Sequence, residues 1–81
     1  MDKVGDSSWV EISGAALRLR VEFTEEGWAY SAYDLKSKTY LLLPQAANTE
    51  EQGQFLAERW AIGAGLLDVL ARFSWARNRR D

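Results

Sequence analysis

Residues 49–77, TEEQGQFLAERWAIGAGLLDVLARFSWAR, carry the longest helical pattern in the chain, and their reading decides the fold. Thr49-Glu50-Glu51-Gln52 is a capping box. The Thr49 hydroxyl can accept from the backbone N–H three residues on, Gln52 can reach back, and Glu50 and Glu51 complement the positive end of the helix dipole. A helix is therefore expected to start at Thr49. Successive residues turn by about 100° around its axis, so Ile62, Leu66, Val69, Phe73 and Phe55 share one stripe. Leu70, Leu56, Leu67, Trp60 and Ala71 widen it to about twice the ~100° with which a surface helix covers one layer. Beside this arc Ala57, Ala61, Ala64, Gly65 and Asp68 make a small-residue face that another backbone can approach closely. With Phe73 and Trp75 they form the expected partner-binding surface of the helix, and a symmetric homodimer is the commonest form of such a contact.

Gly63 and Gly65 mark Ile62 to Leu66 as the expected break, because each glycine costs about 1 kcal/mol relative to alanine inside a helix. Unbroken, the helix would run roughly 42 Å, against about 27 Å for strands of about eight residues. Two outcomes are open: the helix overhangs its sheet and meets a partner, or the chain bends at the glycines and the second half folds back.

Working outward to the N-terminus, residues 1–7 are polar and read as a flexible lead-in. Residues 8–43 read as sheet. Trp9 to Ile12 alternates as a short strand, and Ser13-Gly14 is a turn dipeptide. Leu17, Leu19, Val21 and Phe23 then face one way while Arg18, Arg20, Glu22 and Thr24 face the other, the signature of a half-buried strand. A two-residue turn at Ser13-Gly14 would set Val10 opposite Leu17 and Trp9 opposite Arg18. Glu25-Glu26-Gly27 closes the next hairpin, Trp28 to Tyr33 is an aromatic strand, and Asp34 to Ser37 turns the chain into Lys38 to Leu43, which Pro44 ends. A three-residue loop at Gly27 would put Trp28 and Tyr30 on the outer face with Trp9, Arg18 and Arg20. A two- or four-residue loop would bury them and expose Tyr33 instead. Gly27 suits the third position of a bulged loop, which favours the first arrangement. Strands joined by such short turns form an antiparallel meander. The expected fold is thus α+β, a single domain over 1–81, with a four-stranded (at least three-stranded) meander packed by a long helix over 49–77, broken or continuous at Gly63–Gly65.

The composition narrows the chemistry. The chain has no cysteine and no histidine, which removes disulfides, thiolate and imidazole metal ligands, thiol nucleophiles and the usual general base at neutral pH. No cofactor, no metal and no catalysis are expected. Net charge is −2, no stretch is long and apolar enough to span a membrane, and no signal peptide is evident, so a cytoplasmic protein is expected.

Four surfaces remain as candidates. Trp9, Arg18 and Arg20, with Trp28 and Tyr30 or with Tyr33, could hold single-stranded nucleic acid by stacking and phosphate contacts. Glu22, Glu25 and Glu26, with Glu50, Glu51 and Glu58 on the helix, could imitate a phosphate backbone and occupy a basic groove on a nucleic-acid-handling protein. Arg72, Arg77, Arg79 and Arg80 complement a helix C-terminus, and Arg59 falls inside the apolar arc, either passing the sheet edge or pairing across an interface. The helix face is the fourth.

The meander-then-helix order over about residues 8 to 62 resembles that of several small phage and bacterial proteins, among them some anti-CRISPR inhibitors and the AP2-like DNA-binding domains of integrases. The resemblance is one of architecture and carries no functional residue over. It implies a small inhibitor or a DNA-binding sheet, and the acidic hairpin tips disfavour the latter. The expectation is a non-catalytic protein-interaction module, an anti-CRISPR-like phage or mobile-element inhibitor that occludes a larger partner. Single-stranded nucleic-acid binding by the aromatic and arginine face is the alternative.

Overall fold

The computed structural model describes residues 3–68 and 72–79. Strands β1 (Ser7–Ile12), β2 (Leu17–Thr24), β3 (Gly27–Asp34) and β4 (Thr39–Ala47) form the expected antiparallel meander. Helix α1 (Glu50–Gly63) follows, and a fifth strand, β5 (Ala76–Asn78), completes the sheet in the order β4-β3-β2-β1-β5. The sheet begins at Ser7, and Gly5 and Asp6 already bond to Phe23, so the stretch 1–7 is not a loose lead-in throughout. The first hairpin does not turn on two residues. Ser13–Ala15 form a 3-10 turn closed by Ala16 at φ 51°, which slides the register so that Val10 pairs with Leu19 and Trp9 with Arg20. The slip is by two residues, so every side chain keeps its expected face. Pro44 does not end β4. Tyr30 pairs with Gln45 and Ala32 with Leu42, leaving Leu43 and Pro44 together opposite Ser31 in a bulge on an edge strand, where a missing N–H costs no ladder bond.

One face of the sheet meets α1. Val10, Leu17, Leu19, Val21 and Ala32 are buried there, and the helix lies over β2 and β3. The stripe it presents corrects the wheel reading: Gly53, Ala57 and Ala61 are the residues buried against the sheet, not Phe55, Ile62 and Leu66. Ala57 and Ala61 are 0% exposed, whereas Phe55 is 57% exposed. Small side chains let the helix backbone settle close to the strands, and a Cβ at Gly53 would lie only 2.7 Å from Cγ1 of Val21. The anticipated close approach is real, but the approaching backbone is the chain's own sheet. Ala57 and Ala61 are consequently no seam for a second copy.

The two ends of α1 follow the sequence closely. Thr49 Oγ1 accepts from the Gln52 N–H at 3.0 Å, and the Gln52 side chain accepts from the Asn48 N–H. At the other end Gly65 takes φ 76°, its N–H donates to Ile62 and the Leu66 N–H donates to Ala61. This is the Schellman geometry that only a left-handed residue allows, so the helix stops where the glycines predicted. The helical reading is therefore overturned for residues 64–68 and 72–77: the chain folds back, and Ala76–Asn78 pair antiparallel with Trp9–Ser7 of β1. Leu67, Phe73 and Trp75 pack against the core on this return path. Val69, Leu70, Ala71 and Arg80 lie outside the described residues. Among the described residues no helix is long and apolar enough to cross a membrane.

Candidate functional site

Among the described residues no layer covers the face of the sheet turned away from α1, and the strand registers lay out its side chains in rows. One row runs Glu11, Arg18, Tyr33, Tyr40; the next runs Ala76, Trp9, Arg20, Ser31; a third runs Asn78, Ser7, Glu22, Ala29, Ala46. Trp9, Arg18 and Arg20 are thus on the open face as expected. Trp28 and Tyr30 are not. They pair with Phe23 and Val21 on the helix side, where Trp28 is 5% exposed and meets Phe23 at 5.1 Å with the rings tilted by 56°. The cause is local. The Thr24 hydroxyl donates to the Gly27 carbonyl at 2.8 Å and accepts from the Glu26 N–H at 3.1 Å, closing a two-residue loop at Glu25-Glu26 in place of the bulged three-residue loop. One residue fewer in the loop turns β3 over, so the aromatics of the open face are Trp9, Tyr33 and Tyr40.

The arginines of this face already have partners. Arg18 Nε donates to Glu11 Oε2 at 2.7 Å, and Arg20 reaches Glu22 at 3.4 Å. All four side chains remain nearly half exposed, so each pair is worth at most about 1 kcal/mol. Each guanidinium is nonetheless met by a carboxylate of its own face. Tyr33 and Tyr40 meet edge to face at 5.1 Å and 79°. A shallow hollow bounded by Arg18, Arg20, Ser31, Tyr33 and Tyr40 adjoins a second between Trp9, Arg20, Ser7 and Asn78. No family model, curated protein or solved structure matches the chain.

The acidic set is dispersed. Glu50 is buried and takes a two-pronged contact from Arg79, Nη1 to Oε2 at 3.0 Å and Nη2 to Oε1 at 2.7 Å. Glu58 accepts from the Trp75 indole at 2.7 Å. These two glutamates hold the returning C-terminal segment, and with Glu22 engaged by Arg20 the exposed remainder is Glu25 and Glu26 at the hairpin tip and Glu51 on the helix. The helix set is divided as well: Ala57 and Ala61 are buried, Phe73 and Trp75 pack on the core, and Ala64, Gly65 and Asp68 are exposed. Arg59 passes outward and sits 5.8 Å over the Phe55 ring. Among the described residues no group of His, Cys, Asp or Glu is placed to hold a metal.

Two features escaped the sequence reading. Tyr40, Leu41 and Leu43 are exposed on the edge strand β4, Leu43 by 66%. The signal was present in the unbroken apolar run Tyr40 to Leu43, which lacks the alternation of a half-buried strand. The β3–β4 turn is held by Asp34, whose carboxylate accepts from the Lys36 N–H at 2.9 Å. That bond, and a further one from the Ser37 side chain, hold its pKa below the usual carboxylate value.

Proposed function

We propose that the protein is a non-catalytic binding module that presents the open sheet face to a protein partner. The observation that carries this reading is the state of the two arginines. A phosphate-binding face needs free guanidiniums, whereas Arg18 and Arg20 are each met by a glutamate of the same face. What remains is a neutral surface of Trp9, Tyr33 and Tyr40 with paired charges between them, the composition of a protein-binding patch in which aromatic and arginine side chains dominate. A reducing cytoplasm suits a cysteine-free chain of this kind. In the narrower form of the reading, the module occludes a larger nucleic-acid-handling protein, as an anti-CRISPR-like inhibitor would, with Glu25, Glu26 and Glu51 facing its basic surface.

Titration of labelled single-stranded DNA and RNA separates this from nucleic-acid binding. The expected result is no micromolar binding at either about 50 or about 200 mM salt. Binding that falls steeply between those concentrations and disappears in Arg18→Ala would overturn the reading.

A further inference from the structure

β5 covers only part of the edge of β1. The Phe23 N–H donates to the Asp6 carbonyl at 2.8 Å, and hydrogen bonding alternates along an antiparallel strand. The even-numbered residues of β1 therefore bond to β2, while Ser7, Trp9 and Glu11 turn their N–H and C=O groups to the other edge. Asn78 and Ala76 take the places opposite Ser7 and Trp9. The residue due opposite Glu11 is Ser74, which lies outside β5. The chain leaves the ladder there because its neighbours are held on the helix side: Phe73 and Trp75 pack against the core, and the Trp75 indole donates to Glu58 of α1 at 2.7 Å. The alternate residues Arg72 and Ser74 line a cleft of about 400 Å³ against the uncovered half of the β1 edge, with Ala76 at one end and Ser13-Gly14 at the other. Arg72 is exposed, and among the described residues no carboxylate reaches it. The Glu11 carboxylate is engaged by Arg18 on the open face.

We propose that this cleft captures the C-terminal end of another protein chain, with the free α-carboxylate on the Arg72 guanidinium and the last backbone groups on the N–H and C=O of Glu11. An open rung at a sheet edge is complementary to an extended backbone, which supplies the missing donor and acceptor together. A guanidinium with no partner calls for an anion, and its planar fork matches a carboxylate with two parallel bonds. The length of the slot decides between a passing strand and a chain end. Ala76 closes it on one side and the Ser13-Gly14 turn on the other, so beside Glu11 there is room for the end of a chain and not for a strand running through. A terminal carboxylate is also the anion that arrives already joined to a backbone able to fill the rung. The cleft lies at the strand edge, not on the open face, so this inference stands independently of the reading above.

Randomised acetylated pentapeptides test it, prepared once with a free C-terminal carboxylate and once as the C-terminal amide. Both pools are passed over the immobilised full chain, and the retained sequences are resynthesised and titrated. Retention of carboxylate peptides, and not of amides, is expected. Arg72→Ala should weaken the tightest of them at least about tenfold, the loss of a charge-assisted contact, with the circular dichroism spectrum unchanged. Tyr33→Ala, a change on the open face, should leave their affinity as it is. Bound peptide should also slow hydrogen exchange at the Glu11 amide, which the free protein leaves open at the edge. No retained carboxylate peptide, equal retention of the amides, an affinity indifferent to Arg72→Ala, one abolished by Tyr33→Ala, or no added protection at Glu11 would each overturn the proposal.

Discussion

The two faces of the sheet use opposite means to make contact. The inner face offers Leu17, Leu19 and Val21, all essentially fully buried, to a helix that answers with glycine and alanine. The contact is tight because one side is small, and its geometry admits little change. The outer face offers large side chains, Trp9, Tyr33 and Tyr40, over which no layer lies among the described residues, and its charges are balanced within the face itself. One face is complete in the folded chain, while the other holds apolar and aromatic surface that folding has not used. The helix that dominates the sequence is thus structural on its small side, and the open sheet face is the surface proposed for recognition.

Substitutions on the two faces should therefore separate stability from binding. The largest loss of stability is expected for Leu19→Ala, about 2–5 kcal/mol for a fully buried leucine that leaves a cavity beneath the helix, measured by urea unfolding. Gly53→Val should follow at about 1–3 kcal/mol, because the added atoms run into the stiff, buried Val21 side chain and force the helix away. An unchanged midpoint would refute the close approach of α1. Arg79→Ala should cost about 1–2 kcal/mol, since it leaves the Glu50 carboxylate buried without this partner, and should raise hydrogen exchange along β1, from which β5 would detach. Tyr33→Ala and Tyr40→Ala should alter stability by less than about 1 kcal/mol while abolishing capture of the partner.

The smallest effect expected is one of pH. The Asp34 carboxylate holds the turn beyond the Tyr33–Tyr40 pair, and its folded pKa is lowered chiefly by the Lys36 N–H. A lowered folded value means that ionised Asp34 stabilises the fold at pH values above the unfolded value of about 3.9. That contribution is lost as pH falls through the folded value. The difference in urea midpoint between the natural chain and Asp34→Ala should be constant from about pH 7 to 5 and shrink below about pH 4; a difference that persists at pH 2 would remove the carboxylate from the account.

Much of this architecture was legible in the residues. The alternation from Leu17 to Thr24 assigned two faces, and because pairing slips by two preserve parity, the wrong hairpin register still placed Trp9, Arg18 and Arg20 correctly. Thr49 and the glycines at 63 and 65 bounded the helix through capping chemistry that needs no tertiary context. The misreadings came from non-local choices. Weight given to large apolar residues favoured the Phe55–Ile62 side of the helix, whereas the meander preferred the side that lets backbones come closest. Ala76 and Arg77 ended the helical pattern in the sequence and instead joined Asn78 in a strand on the edge of β1. The Thr24 hydroxyl decided the loop length, and with it the fate of Trp28 and Tyr30. Glu50 reads as a helix-start residue until Arg79, 29 residues later, folds back onto it.

The central claim is that the open face is where a protein partner docks, and a photo-crosslinker tests it most directly. With p-benzoylphenylalanine in place of Tyr33, irradiation of the source cells should give a discrete protein adduct that the same group in place of Phe55 does not give. A nucleic-acid adduct at Tyr33, or a protein adduct from Phe55 alone, would contradict the account.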